Sequence, residues 1–256
     1  MQLLIRSLEY IKYRWIAKGR HGIHSPFVYS YTDVCLKLSL SVDGQNHINE
    51  LTRSLRNNDQ VITISDFGAG SRKMGNERKI SAIFKNSSSH GTYGTLLYQI
   101  AKHYKPSTVL EFGTSLGVGT TYLALGNPSA QITTLEACKE TRKCALQHLG
   151  ENDKIESILS TFDEYLNTKL EREFDLVFVD GHHDGDALLD YMDRLSSITN
   201  DETIFILDDI RWSNSMFDAW QQIINDDQYH LTIDHFRVGI VSRRPSQEKE
   251  HFTLKV

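Results

Sequence analysis

Short apolar segments alternate with helical segments from about Thr92 onward, and this alternation constrains the fold more than any other feature of the chain. Five segments rich in β-branched and aromatic residues predict strands: STVLEF (107–112), AQITTLE (130–136), KIESILS (154–160), FDLVFVD (174–180) and ETIFILD (202–208). Helical patterns fit between and after them, at 117–125, 139–149, 163–170, 186–195 and 213–225. Strands that alternate with helices in this way form a mostly parallel sheet, so the sequence predicts an α/β fold.

The C-terminal part of this pattern predicts a different strand pairing. Two further strand-like segments, YHLTIDHF and RVGIVSR, follow each other with almost no residues between them. A parallel crossover needs a connection of a dozen or more residues, so these two segments should form an antiparallel hairpin. The predicted sheet is therefore mostly parallel and ends in a C-terminal antiparallel hairpin.

Residues 1–90 have a more mixed character and are predicted to form an N-terminal helical extension and lid, ahead of a domain over 91–256. Leu4, Leu8, Ile11 and Trp15 recur at helical spacing and predict an amphipathic helix. We expect that helix to pack on the rest of the fold, since apolar stripes usually face a core. A basic amphipathic helix that contacts a membrane surface is the alternative.

Other parts of the extension give weaker predictions. A second helix is expected over 27–40, a polar loop over SVDGQNHINE and a helical piece near Leu51 to Leu55. The loop KGRHGIHSPFVYSY and the DFGAGS turn have compositions typical of loops with a function. Candidate lid residues from the first of these loops are His21, His24, Phe27 and Tyr31, although the same segment could simply pack one helix on another.

Charge and cysteine content exclude some classes of protein. The net charge of −5 argues against a dedicated nucleic-acid binder, which usually has a strong basic excess. Three cysteines without a CxxC pair do not suggest a disulfide framework or a zinc site, so a reducing, cytoplasmic location is expected. No apolar run is long enough to predict a membrane span or a signal peptide.

The first strand of the alternating region leads into VLEFGTSLGVGTTYLA, a strand–turn–helix segment that suits a nucleotide-like cofactor. Gly113 and Gly117 permit backbone conformations, and a close approach to a ligand, that a Cβ atom would block. Glu111 at the strand end would repel a pyrophosphate but suits a cationic cofactor. Glu136 ends the next strand, 23 positions after Gly113, close to the spacing of an acid that binds ribose hydroxyls.

This segment and the following TTLEA resemble the first motif and the acidic partner of class I S-adenosylmethionine-dependent methyltransferases. They are most similar to the catechol and caffeoyl-CoA O-methyltransferase-like group, over roughly residues 92–243. The resemblance implies a Rossmann-like, doubly wound sheet, and Glu136 on the ribose. Residues implied to line the methionine part of the cofactor are Glu111, Gly113, Thr114, Ser115 and Gly117.

The same resemblance implies positions for the other parts of the cofactor. STFDEYL is similar to the segment that flanks the adenine, which makes Phe162 and Asp163 candidates there. Asp180 at the end of the fourth strand is also expected beside the cofactor. Tyr93, in the segment before the first strand, is expected to approach the reacting methyl group.

Aspartates end two of the predicted strands. Asp180 follows the fourth strand, and Asp208 and Asp209 follow the fifth. Ligands of parallel α/β sheets lie beyond the carboxyl ends of the strands, so all three should converge beside the cofactor. Converging carboxylates need a cation, a proton or hydrogen bonds, because like charges repel at short range.

In the catechol group, an Asp after the fourth strand and an Asp–Asn pair after the fifth hold Mg²⁺. The resemblance therefore implies a magnesium site of Asp180, Asp208 and Asp209, with Asp209 where the family has Asn. His183 replaces the lysine that the family has three residues after its first aspartate. A neutral imidazole can act as a general base, so His183 is the first candidate and His182 the second. Without a metal, Asp180 could orient His183.

These features predict an enzyme that transfers a methyl group from S-adenosylmethionine to a hydroxyl of a small acceptor, with a phenol as the leading candidate, activated by His183, a metal or both. A non-catalytic cofactor-binding relative is one alternative. An NAD-dependent oxidoreductase is another, against which the missing GxGxxG and the presence of Glu111 both count. The expected partner is a small molecule and not a nucleic acid, and the N-terminal helices leave a homodimer open.

Overall fold

The structure is a computed structural model, and it describes residues 2–17, 25–65, 77–87, 89–168 and 172–256. The chain divides into two compact units, one made of residues 1–29 and 170–256 and the other of residues 30–169. Two candidate lid residues, His21 and His24, and the DFGAGS turn lie outside the described residues. The sequence boundary near residue 90 stays a prediction.

The secondary structure follows the predicted alternation. The helices are α1 (Gln2–Ile16), α2 (Pro26–Val34), α3 (Val42–Arg56), α4 (Ile80–Ser87), α5 (Thr92–Tyr104), α6 (Val118–Gly126), α7 (Lys139–Leu149), α8 (Phe162–Leu166), α9 (Gly185–Leu195) and α10 (Asn214–Asn225). The strands are β1 (Val61–Thr63), β2 (Glu77–Lys79), β3 (Thr108–Phe112), β4 (Gln131–Glu136), β5 (Ile155–Leu159), β6 (Phe174–Val179), β7 (Thr199–Leu207), β8 (Leu231–Asp234), β9 (Gly239–Ser242) and β10 (Glu250–Thr253). Each predicted strand and helix from residue 107 onward is present within a few residues of its predicted bounds.

In the unit of residues 30–169, strands β3, β4 and β5 pair in parallel and in that order. The residues of β3 after Thr108 are buried, as expected for a parallel strand covered on both faces. Helices α5 and α6 pack closely because Gly94 has no side chain. A Cβ atom there would lie 2.2 Å from a ring carbon of Tyr122.

In the unit of residues 1–29 and 170–256, β6 pairs in parallel with β7, and β7 pairs antiparallel with β9. Strands β8 and β9 form the antiparallel hairpin that the sequence predicts. A further strand, β10, was not predicted and pairs in parallel with β8. Its segment EHFT is polar and only partly buried, so it lacks the apolar pattern that marks the other strands.

The predicted polar loop over residues 41–50 is wrong, because that segment belongs to helix α3. The Ser41 side chain accepts a hydrogen bond from the Gly44 amide and caps the helix. Ile48, Leu51 and Leu55 lie on one face of the helix and are buried. Their spacing continues the helix across the polar residues that were interpreted as a loop.

Helix α1 exists as predicted, but two of the four residues predicted to face a core do not do so. Tyr13 is buried, and its hydroxyl donates to the carbonyl of Leu254 at 2.6 Å. Tyr10 contacts the ring of Phe236 edge-on, with ring centroids 5.0 Å apart. Ile11 and Trp15, expected to face a core, are exposed. Among the described residues, no helix is both long and apolar enough to cross a membrane.

Candidate active site

The turn between β3 and α6 has the unusual backbone that the glycines predict. Gly113, Ser115 and Gly117 have φ values of 102°, 47° and 78°, all in the left-handed region. The amides of Gly113 and Thr114 donate to the Leu135 carbonyl at 3.1 and 3.0 Å, which ties the turn to β4. Left-handed backbone in a non-glycine residue such as Ser115 is strained and is often found at functional sites.

Glu136 connects the end of β4 to this turn. Its Oε2 accepts from the Ser115 amide and its Oε1 from the Cys138 amide, each at 2.9 Å. Burial raises the pKa of Glu136, and the two amides act in the opposite direction. Each carboxylate oxygen can accept a further hydrogen bond, so the side chain is held in place with acceptor capacity left for hydroxyl donors.

Glu111 is fully buried at the end of β3. Its Oε2 accepts from the hydroxyls of Thr120 and Thr134, while its Oε1 is buried and has no hydrogen-bond partner within the described part of the chain. Thr114 forms a 2.6 Å hydrogen bond with the hydroxyl of Thr134, so the polar network extends into the turn. Burial raises the pKa of Glu111 to about 7. The sequence analysis found Glu111 but missed the two threonines that hold it.

The raised pKa of Glu111 predicts a specific pH dependence of stability. The folded value of about 7 lies above the unfolded value of about 4.5, so this carboxyl favours folding below pH 4.5 and loses that contribution as the pH rises to 7. Relative to Glu111→Gln, the wild-type free energy of unfolding should fall by up to about 3 kcal/mol over this interval. Urea unfolding of both proteins at pH 5 and pH 8, without cofactor, measures the difference. An equal change in both proteins would contradict a buried, protonated Glu111.

The adenine candidates lie at the start of α8. The ring of Phe162 stacks on Phe112 with centroids 4.6 Å apart and planes at 16°. Thr161 caps the helix and forms a reciprocal capping box with Glu164, so Asp163 is not needed as the cap. The roles of Phe162 and Asp163 toward a cofactor stay predictions.

In the other unit, the loop after β6 carries the two histidines in strained backbone. His182 and His183 have φ values of 66° and 34°. His182 Nδ1 forms a 2.6 Å hydrogen bond with the Tyr191 hydroxyl, and Asp184 caps α9 by accepting from the Ala187 amide. His182 thus has a hydrogen-bond partner in helix α9.

His183 lies between an acid and an aromatic ring. Its Nε2 is 4.0 Å from Asp209 Oδ2, and its ring centroid is 5.4 Å from that of Trp212. Its Nδ1 is buried and has no hydrogen-bond partner among the residues that the structure describes. A neutral imidazole with its proton on Nε2, toward Asp209, would keep Nδ1 as a proton acceptor. Trp212 was not singled out by the sequence analysis.

The structure brings Asp208 and Asp209 together around a cation that the sequence analysis missed. The guanidinium of Arg237 donates to both oxygens of Asp208, at 2.8 and 2.5 Å, and its Nε lies 3.3 Å from Asp209 Oδ1. Burial alone would lower the pKa of Arg237, but Asp208, Asp209 and the charge of Asp180 raise it. Arg237 begins the second strand-like segment of the hairpin, where sequence patterns give no sign of a partner.

This geometry does not fit a divalent cation. A magnesium ion would need oxygen ligands that Asp208 already gives to Arg237. Within the described ranges, no group of three or more histidine, cysteine or acidic side chains is arranged to hold a metal ion. The positive charge that converging carboxylates need is therefore supplied by the guanidinium.

Phe27, Tyr31 and Tyr93 are the remaining candidate residues that the structure describes. Phe27 lies under the guanidinium of Arg244, 4.1 Å from its ring centroid, and Tyr31 is fully buried in the second unit. Both side chains therefore have packing contacts, as the alternative interpretation of this segment expects. Tyr93 is half-buried in the first turn of α5, and its approach to a methyl group stays a prediction.

A comparison with known protein families identifies one match. A family described as "Methyltransferase domain" matches residues 110–210, which include both strand-end regions. No curated protein sequence matches the chain.

Solved structures of methyltransferases are similar to this chain in fold. The chain is similar to the methyltransferase PaMTH1 of Podospora anserina bound to S-adenosylhomocysteine, with 18% identity, a TM-score of 0.58 and coverage of 86% of this chain and 97% of that one. It is also similar to an O-methyltransferase of Bacillus cereus bound to S-adenosylhomocysteine (20% identity, TM-score 0.51, coverage 61% and 83%). A third is the O-methyltransferase TomG of Streptomyces achromogenes bound to S-adenosylmethionine (16% identity, TM-score 0.51, coverage 62% and 82%). The family match is confined to residues 110–210, and the fold is shared with methyltransferase structures bound to S-adenosylmethionine or S-adenosylhomocysteine.

Proposed function

We propose that this protein transfers a methyl group from S-adenosylmethionine to a hydroxyl of a small phenolic acceptor, with His183 as the general base and no metal ion. The observation that supports the base most directly is the position of His183. An acid lies on its Nε2 side, its Nδ1 has no partner in the ranges that the structure describes, and an aromatic ring lies beside it. Like the O-methyltransferases to which the fold is similar, this chain would then act on oxygen.

The cofactor is proposed to bind at the turn after β3. Glu136, fixed by two backbone amides, would accept hydrogen bonds from both ribose hydroxyls. The methionine part would lie against Gly113, Thr114, Ser115 and Gly117, with Glu111 beneath it. Phe162 and Asp163 would flank the adenine, and Asp180 would lie beside the cofactor. Bound S-adenosylmethionine supplies a methyl group that its sulfonium activates toward nucleophiles.

His183 would then accept the proton of the acceptor hydroxyl. The Asp209 carboxylate, near Nε2, would favour the protonated ring that results. Arg237 would hold Asp208 and Asp209 in place and keep their mutual repulsion low. Most of the remaining rate enhancement would come from aligning the acceptor oxygen with the methyl group.

Trp212 favours an aromatic acceptor. Its side chain is 51% exposed and lies next to His183, so a flat apolar surface adjoins the proposed base. A phenol ring stacked on this indole would present its hydroxyl toward the imidazole, and such aromatic pairs contribute about 0.5–1.5 kcal/mol. Incubating the protein with S-adenosylmethionine and a panel of phenols, aliphatic alcohols and amines, and measuring S-adenosylhomocysteine, tests the reaction and the acceptor class. Turnover confined to amines would overturn the proposal.

The ion pairs of Arg237 predict metal independence. Excess EDTA should change the turnover of the best acceptor by less than about twofold, because Asp208 is already neutralised. Added Mg²⁺ should likewise have little effect. Loss of activity in EDTA that Mg²⁺ restores would show that the carboxylates bind a metal in solution, as the family resemblance implies.

A further inference from the structure

Helix α1 presents an apolar stripe to solvent on the side opposite its packed face. Tyr13 is buried and fixed to the Leu254 carbonyl, whereas Ile11 is 54% exposed and Trp15 87% exposed. Positions 11 and 15 are one helical turn apart and lie on one face, while position 13 lies on the other side of the helix. Tryptophan is highly buried on average, so an exposure of this extent is unusual.

Basic side chains border this stripe on both sides. Lys12 and Arg14 are exposed, and each lies about a quarter-turn from the line through Ile11 and Trp15. Lys12 pairs with Glu9 at 2.9 Å, but an exposed pair of this kind is weak and easily exchanged. A tryptophan and an isoleucine bordered by lysine and arginine are typical of helices that lie in the interface of a membrane.

The charge distribution along the chain indicates the sign of the partner. The first twenty residues contain five basic side chains and one acidic one, a net charge of +4, so the remaining 236 residues carry −9 to give the total of −5. A basic segment on an otherwise acidic protein is attracted to an anionic surface, and the rest of the protein is repelled by it. The same charge disfavours a symmetric dimer through α1, which would place two basic helices against each other.

We infer that α1 docks this protein on an anionic lipid surface, with Ile11 and Trp15 inserted at the level of the headgroups and Lys12 and Arg14 on the anionic lipids. Juxtamembrane basic residues and a buried tryptophan each add to such binding, and the basic contribution is screened by salt. The docking face is separate from the side chains that would carry methyl transfer, so the two proposals can fail independently. The alternative binding partner of this face of α1 is an acidic protein surface.

Co-sedimentation of the full chain with extruded vesicles tests the inference. Vesicles of phosphatidylcholine with about 30% phosphatidylglycerol should bind the protein at 50 mM salt, more weakly at 300 mM, and phosphatidylcholine alone should bind it at least about tenfold less. Trp15→Ser and the pair Lys12→Glu and Arg14→Glu should each lower the partition coefficient by about tenfold or more. Unchanged melting temperatures would show that the variants are folded.

Matched controls remove similar groups elsewhere. Val42→Ser is the control for the apolar change, because Val42 is 78% exposed. Lys85→Glu combined with Lys143→Glu is the control for the charge change, because both lysines are exposed. These variants should keep at least about half of the wild-type partition coefficient. Equal binding to neutral and anionic vesicles, equal losses in the control variants, or a dimer that Trp15→Ser dissociates without any vesicle binding would each overturn the inference.

Discussion

Replacing His183 with asparagine is expected to lower kcat by about 10²- to 10⁴-fold, the usual contribution of a general base. Asparagine tolerates left-handed backbone, so it suits the φ of 34° at this position while removing the proton acceptor. The affinity for S-adenosylmethionine should stay within about twofold, because His183 is not among the side chains proposed to contact the cofactor. Steady-state kinetics with the best phenolic acceptor measure these effects.

His182→Asn is the matched comparison, since it makes the same change one residue earlier and also at positive φ. It should remove the hydrogen bond to Tyr191 and lower the free energy of unfolding by about 1 kcal/mol, with a loss in kcat below about tenfold. A larger loss in kcat for His182→Asn than for His183→Asn would move the base to His182 and contradict the proposed arrangement.

Replacing Glu136 with alanine is expected to raise the Kd for S-adenosylmethionine by at least about 10²-fold. The variant would lose two charge-assisted hydrogen bonds to the ribose, each contributing about 1.5–3 kcal/mol. It would also release the Ser115 and Cys138 amides, so the cofactor turn would lose its connection to β4. Isothermal titration gives the Kd, and thermal unfolding gives the structural part of the effect.

Glu140→Ala supplies the control for this change. Glu140 lies four residues further on, in the first turn of α7, and its removal takes away the same charge without touching the turn after β3. Its Kd should stay within about twofold of wild type. Comparable weakening in both variants would mean that the acidic charge of the region, and not the ribose contact, determines binding.

The sequence predicted the part of the fold whose signals are local. Apolar runs such as those of β3 and β6 are buried on both faces, so their composition alone marks them as strands of a parallel sheet. The short connection between β8 and β9 allows an antiparallel pairing only, and that pairing is present. The acids Glu111, Glu136 and Asp208 could also be identified from the sequence, because each ends a predicted strand and ligands of parallel sheets lie beyond the carboxyl ends of the strands.

Features that depend on distant contacts could not be predicted. Arg237 contacts Asp208 from 29 residues away, and nothing in its neighbourhood distinguishes it from an ordinary strand arginine. Helix α1 has two apolar faces, and the pattern alone favoured the stripe of Ile11 and Trp15 over the tyrosine face that Phe236 and Leu254 cover. Helix α3 was predicted as a loop followed by a short helical piece, because its polar residues concealed the spacing of Ile48, Leu51 and Leu55.

Isothermal titration of the wild-type protein with S-adenosylmethionine tests the central claim most directly, with NADH titrated in parallel. The account predicts one binding site with a Kd on the order of micromolar for S-adenosylmethionine and no heat with NADH. No binding of S-adenosylmethionine or S-adenosylhomocysteine to the folded protein, or binding of NADH alone, would contradict the claim that the turn after β3 holds a methyl donor.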